Sequence, residues 1–223
     1  MSQRLFGIFL LLGLAGCTGQ RIIDRPVPFP EERIQLTREY MREHYGIESA
    51  NIEIVPRIIV LHWTAGRTLE GDFNTFVPSR LRGRPELREV SELNVGIQFL
   101  VDRDGKIYRL MPETWMARHV IGLNYHAVGV ENVGGARGVD DLTDAQRAAN
   151  IWLVRYLAKK YPTIEYLIGH HEYRLFEGHP LWLEKNPDYR TGKSDPGEAF
   201  MNAVRAATAD LRLKGPAEIT AER

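Results

Sequence analysis

A chain of 223 residues with 43% hydrophobic and 26% charged residues has the balance of an ordinary globular domain with room for a terminal extension. Lysine plus arginine equals aspartate plus glutamate at 29 each, so the charge offers no footprint for nucleic acid, and no such partner is expected. A single cysteine excludes an internal disulfide.

The chain opens MSQRLFGIFLLLGLAGC, with one basic residue, Arg4, before a short apolar run from Leu5 to Ala15. That run falls well below the roughly 20 residues of a bilayer-spanning helix and reads as a secretory signal. Its end, Leu14-Ala15-Gly16-Cys17, resembles the lipobox of bacterial lipoproteins. The resemblance implies removal of residues 1–16, lipidation of Cys17 and a membrane contact through the lipid anchor. Thr18 in place of an aspartate implies sorting to the outer membrane, facing the periplasm. A free thiol behind an ordinary signal is the alternative.

Residues 18–32 carry Gly19, Pro26, Pro28 and Pro30 with little periodicity, which predicts an extended tether. LTREYMREHYG predicts a short helix, capped by Thr37 and stopped by Gly46. Tether and helix together occupy 17–50, and the compact domain is expected over 51–213. Arg57–Trp63 is a continuous apolar run rich in β-branched residues, hence a buried strand. GIQFLVDRDGKIYRL predicts two strands joined at Arg103-Asp104-Gly105. HAVGVENVGG predicts another strand ending in glycines. LTDAQRAANIWLVRYLAKKY is the clearest helix. Thr143 and Gln146 have capping-box spacing, and Ala149, Trp152, Leu153, Tyr156 and Leu157 share one face. EYLIGHHE predicts a further strand, and a last helix runs from about Pro196 to Leu213. Residues 214–223 are expected as a flexible tail. Strands interleaved with helices imply a single α/β domain, and the hairpin makes its central sheet mixed.

Three polar residues stand at the ends of apolar strands: His62, Glu131 and His170. Lys193 and Asp195 share one Pro-Gly turn ahead of the last helix. Taken singly, each fits a hydrogen-bonded histidine, a solvated glutamate or a capped turn. Together they point to a site at one edge of the sheet, where strand ends of α/β folds place their chemistry.

The ordered set resembles the zinc-dependent N-acetylmuramoyl-L-alanine amidases of type 2. That family also includes peptidoglycan recognition proteins. The likeness runs from about Arg57 to Phe200. IIVLHWTAG resembles the first metal-ligand strand, NYHAVGVENVGG the strand of the catalytic glutamate, LIGHHEY the second ligand segment and KSDPGEAF the third. The resemblance implies Zn2+ held by His62, His170 and Asp195, with Glu131 and Lys193 catalytic. It implies substrate contacts at His119 and Asn124, and peptidoglycan or muropeptides as partners of a monomer. His171 competes with His170 for the ligand role, and alternation along a strand would let one of them face the metal.

Three positions depart from the family pattern. Gln98 stands where a substrate-contacting histidine is frequent, and Arg118 stands where a tryptophan precedes His119. The stretch 172–192, with Trp182 and Tyr189, is long and is expected to wall the groove. The implied reaction is hydrolysis of the amide between N-acetylmuramic acid and L-alanine. The alternative is a non-catalytic peptidoglycan-binding module of the same fold. An unrelated zinc peptidase would need an H-E-x-x-H helix, which the sequence lacks.

Overall fold

The computed structural model describes residues 20–223, so the signal and Cys17 lie outside the described residues. The sheet comprises β1 (Ile22–Asp24), β2 (Ile58–Trp63), β3 (Phe99–Val101), β4 (Ile107–Arg109), β5 (Ala127–Asn132) and β6 (Tyr166–Gly169). The helices are α1 (Glu31–Tyr40), α2 (Leu69–Phe76), α3 (Pro85–Arg88), α4 (Asp144–Lys160), α5 (Glu198–Ala207) and α6 (Pro216–Ala221). The strand order is β1-β4-β3-β5-β2-β6, with β3 and β4 antiparallel and the other pairs parallel. The hairpin turns through Gly105 at φ 83°, a left-handed conformation that glycine adopts without a Cβ penalty.

β2 reads as an unbroken apolar run because both faces of the sheet are covered. Ile58 and Val60 pack on one side with Tyr40, Met41, Leu123 and Tyr173. Ile59 and Leu61 pack on the other with Leu153, Val154 and Leu157 of α4 and with Met201 and Val204 of α5. Each such side chain, fully buried, stabilises the fold by about 1.5–3 kcal/mol. The predicted capping box of α4 is present: Thr143 Oγ1 accepts from Gln146 N at 3.1 Å, and Gln146 Oε1 accepts from Thr143 N at 3.0 Å. The predicted face of α4 is rotated slightly. Val154 is buried, whereas Trp152 and Tyr156 lie at the margin and stack with ring centroids 5.4 Å apart.

The two ends of the described chain depart from expectation. Residues predicted as tether contain β1, which pairs with β4, and Val27, which is buried. The predicted first helix starts earlier, at Glu31, and continues through a π-helical turn, Met41–Tyr45, to Gly46. Thr37 is therefore inside the helix, where its hydroxyl donates to Arg33 O at 2.8 Å rather than capping. Tyr40, Met41 and Tyr45 enter the core, so the compact unit includes residues well before Asn51. The last predicted helix is shorter, Glu198–Ala207. The expected flexible tail contains α6, whose Ile219 is fully buried in the same core as Tyr166.

Candidate metal centre and active site

The register of the parallel strands aligns the site. His62 pairs with Glu131 across β2 and β5. On the other flank Leu61 pairs with Gly169, so His170 follows one residue later, level with His62. His62 is two residues beyond Val60, and alternation places it on the face that packs α1. Glu131 follows Ala127 at even spacing and faces the same way.

His62, His170 and Asp195 converge at the strand ends and are all buried. His62 Nδ1 lies 2.9 Å from His170 Nδ1 and 3.2 Å from Asp195 Oδ2, and His170 Nδ1 lies 3.0 Å from the same oxygen. A tetrahedral zinc with bonds of about 2.0–2.1 Å separates its ligands by about 3.3–3.4 Å, within a few tenths of this triangle. The donor set fits as well, because two imidazoles and one carboxylate are ligands that zinc accepts. Burial lowers both histidines, His170 to about 3, so both stay neutral near pH 7 with lone pairs to offer. Burial pushes the Asp195 carboxyl up, but His170 and His62 outweigh it and hold it well below the usual range.

His170 and His171 open a tight helical turn, His170–Phe176, instead of continuing the strand. The choice between them therefore follows from helical divergence rather than strand alternation. His171 takes a different place: its backbone N–H and its Nδ1 lie 3.0 and 2.9 Å from Asp195 O. It braces the turn that carries Asp195.

Glu131 and Lys193 line the same cleft of about 310 Å³ as His170 and Asp195. Glu131 Oε2 is buried and has no hydrogen-bond partner among the described residues. Burial, followed by the Asp195 charge, raises its carboxyl well above the glutamate value of 4.5. Lys193 is lowered by burial, opposed by the attraction of Asp195. A carboxyl inclined to hold a proton, lining one cleft with a lysine whose charge burial disfavours, is an arrangement suited to proton transfer.

His119 and Asn124 border the cleft from behind. His119 Nδ1 lies 3.0 Å from His62 Nε2. Asn124 is fully buried, and its Oδ1 accepts from the backbone N–H groups of His119 and Val120 at 2.8 and 2.7 Å. Gln98 is fully buried beneath the sheet rather than in the cleft, accepting from Gly129 N and donating to Trp115 O. Arg118 is buried too, and donates to the Leu87, Ser91 and Leu93 carbonyls and to Tyr189 OH. Tyr189 and Thr191 line the cleft, so the 172–192 stretch supplies part of its wall.

Other cleft residues were not singled out by sequence pattern. Asp72 accepts from Thr64 Oγ1 at 2.6 Å, and burial raises its carboxyl. Arg84 lines the rim at φ 49°, a conformation disfavoured for a side chain with a Cβ. The Gly83-Arg84-Pro85 sequence signals a turn there but not its nearness to the site. Thr191 Oγ1 is buried and unpartnered, and its backbone is clamped by Tyr173 OH through contacts of 2.8 and 2.9 Å.

No curated protein sequence matches the chain. Among solved structures it is similar to the N-acetylmuramoyl-L-alanine amidase LysC from Clostridium intestinale URNW, at 19% identity and TM-score 0.50, covering 86% of this chain and 99% of that one. An endolysin of a Thermus scotoductus bacteriophage matches at 21% identity and TM-score 0.46, covering 84% and 98%. Human PGRP-IBETAC, solved in complex with a glycosamyl muramyl pentapeptide, matches at 19% identity and TM-score 0.47, covering 69% and 84%. At 19% identity the likeness to LysC is one of fold. The family assignment comes from the sequence itself: residues 34–212 match Amidase_2, N-acetylmuramoyl-L-alanine amidase, and the chain belongs to that family.

Proposed function

We propose that this protein is a zinc-dependent N-acetylmuramoyl-L-alanine amidase acting on peptidoglycan or its soluble fragments. The observation that carries the reading is the convergence of His62, His170 and Asp195 beside an unpartnered glutamate and a half-buried lysine. A non-catalytic module has no need of that glutamate and lysine together.

Zinc, when bound, supplies Lewis acidity at the carbonyl and lowers the pKa of water at the site to roughly 7. His62, His170 and Asp195 would hold it. Glu131 receives a proton from the attacking water as its oxygen bonds to the lactyl carbonyl carbon. As the C–N bond breaks, Glu131 returns that proton to the departing amine of L-alanine. Lys193 presents a cation to the carbonyl oxygen while it carries negative charge. Atoms balance: one water is consumed, and a lactyl carboxylic acid and a peptide amine result.

The test is digestion of purified sacculi and of isolated muropeptides, with products read by mass spectrometry. Peptides with a free L-alanine amino terminus are expected, absent after chelation and restored by zinc. Binding of muropeptides without any such product would favour the non-catalytic module.

The Leu14-Ala15-Gly16-Cys17 sequence further supports a lipid anchor on Cys17 and a place at the outer membrane facing the periplasm. Both are part of this proposal.

A further inference from the structure

His62 uses its two ring nitrogens differently. Nδ1 faces His170 and Asp195, and Nε2 faces Nδ1 of His119 at 3.0 Å. A neutral imidazole carries one proton, on one nitrogen or the other. If Nδ1 of His62 binds a metal it must be bare, and the proton then sits on Nε2. That N–H needs an acceptor, and the atom in front of it is His119 Nδ1. His119 must in turn carry its own proton on Nε2, since two N–H groups cannot face each other at that distance.

We propose that His119 is a positioning residue: its Nδ1 accepts the Nε2 proton of His62 and so holds Nδ1 of His62 bare and aimed at the metal. The proposal rests on the metal-dependent reading above. It replaces the expectation that His119 touches substrate.

The surroundings are built for this role. His119 lines the cleft, but its Nδ1 is taken up by His62, and its Nε2 is closed to solvent with no hydrogen-bond partner among the described residues. The ring lies against β5 at Gly129, where a Cβ would come within 2.8 Å of Cε1 and Nδ1. A side chain at 129 would displace the ring from His62. The backbone of His119 is held by Asn124 Oδ1, and Asn124 Nδ2 donates to Tyr45 OH at 2.8 Å. The path from the π-helical turn to the metal ligand thus runs Tyr45, Asn124, His119, His62 through directly bonded groups. Partners behind metal-ligating histidines commonly fix ring orientation and tautomer in this way.

The experiment compares zinc affinity, by competition with a chromophoric chelator, in wild type, His119→Phe and His119→Asn. Phenylalanine keeps a ring but no acceptor, whereas asparagine places an amide oxygen near the position of Nδ1. The expected result is a zinc affinity weakened by roughly 10–100-fold in His119→Phe and largely recovered in His119→Asn. Unchanged zinc affinity in His119→Phe, with a raised KM for muropeptide, would overturn the proposal in favour of substrate contact. Should His119→Phe fail to fold, the imidazole ¹⁵N spectrum of zinc-loaded wild type decides. His119 protonated on Nε2 supports the proposal, and protonation on Nδ1 overturns it. A wild-type chain that takes up no zinc removes the metal-dependent reading and this proposal with it. Zinc uptake without any effect of the variants removes this proposal alone.

Discussion

At the scale of residues, Glu131 and His62 are neighbours by register, yet they have separable tasks. His62 belongs to the cluster that could hold the metal, and Glu131 does not. Glu131→Gln preserves size and loses the basic oxygen. The variant is expected to fold, to keep zinc and to lose turnover by roughly 10²–10⁴, the range for one general base. Because burial and Asp195 raise the Glu131 carboxyl, it is a base once its proton is lost. Wild-type kcat/KM should therefore fall on acidification with an apparent pKa above 4.5, and the residual activity of Glu131→Gln should lack that limb. Zinc content, melting temperature and a pH–rate profile on one preparation check all three statements. Near-normal turnover at full zinc occupancy would remove Glu131 from the reaction. The residue types were legible in the sequence because each interrupts an apolar run or a turn. The hydrogen bond between His119 and His62 was not, because it joins positions 57 residues apart and no local pattern reports which nitrogen faces which.

Elements are tied together by buried polar groups as well as by the apolar core. Glu113, whose side chain is 1% exposed, joins the segment after β4 to the end of α4. It accepts from Arg109 Nη1 at 3.1 Å, Lys160 Nζ at 2.6 Å, Tyr156 OH at 3.1 Å and Tyr161 OH at 2.7 Å. Burial alone would raise its carboxyl, but Lys160, Tyr161 and Arg109 outweigh burial and lower it below 4.5. A depressed carboxyl contributes stability above its unfolded pKa and loses it as pH falls through the folded value. Glu113→Gln is expected to cost about 1–3 kcal/mol near pH 7, the partners' partial exposure limiting the loss. The gap to wild type should close as pH drops below 4.5, and urea titrations across that range measure it. The same scale explains which elements sequence pattern could reveal. β2, β5 and α4 carry strong periodic or continuous apolar signals and were placed correctly. β1 is three residues long, and α6 is six, with only Pro216 in its first turn and Glu218 accepting from Gly215 N to mark its start. Their placement depends on partners 85 and 53 residues away, Ile107 for Ile22 and Tyr166 for Ile219.

For the molecule as a whole, the proposed lipid anchor makes location testable apart from chemistry. Cys17→Ser should release the protein from the membrane fraction and abolish acyl mass while leaving specific activity on soluble muropeptides unchanged, because every residue placed at the site lies between His62 and Asp195. A variant that still fractionates with membranes and carries lipid would sink the anchor.

The strand β1 adds a consequence for reach. With 17–50 as an extended linker, the domain could roam about 110 Å from its anchor. Instead Gln20 already bonds Gly105 O, and β1 begins at Ile22. Three residues from Cys17 to Gln20 extend at most about 10 Å, less than the radius of gyration of about 17 Å for a domain of this size. The ladder also fixes which end of the sheet a lipid on Cys17 would moor. Ile22 pairs with Ile107, Ile107 with Val101, and Val101 with Asn132, which is next to Glu131. The end of the sheet nearest a Cys17 anchor and the end that carries Glu131 are therefore the same end, three strand spacings or about 14 Å apart. An anchored molecule would work with its cleft near the lipid surface, confined to a shell of cell wall no thicker than the domain itself, and glycan strands beyond that shell would have to come to it.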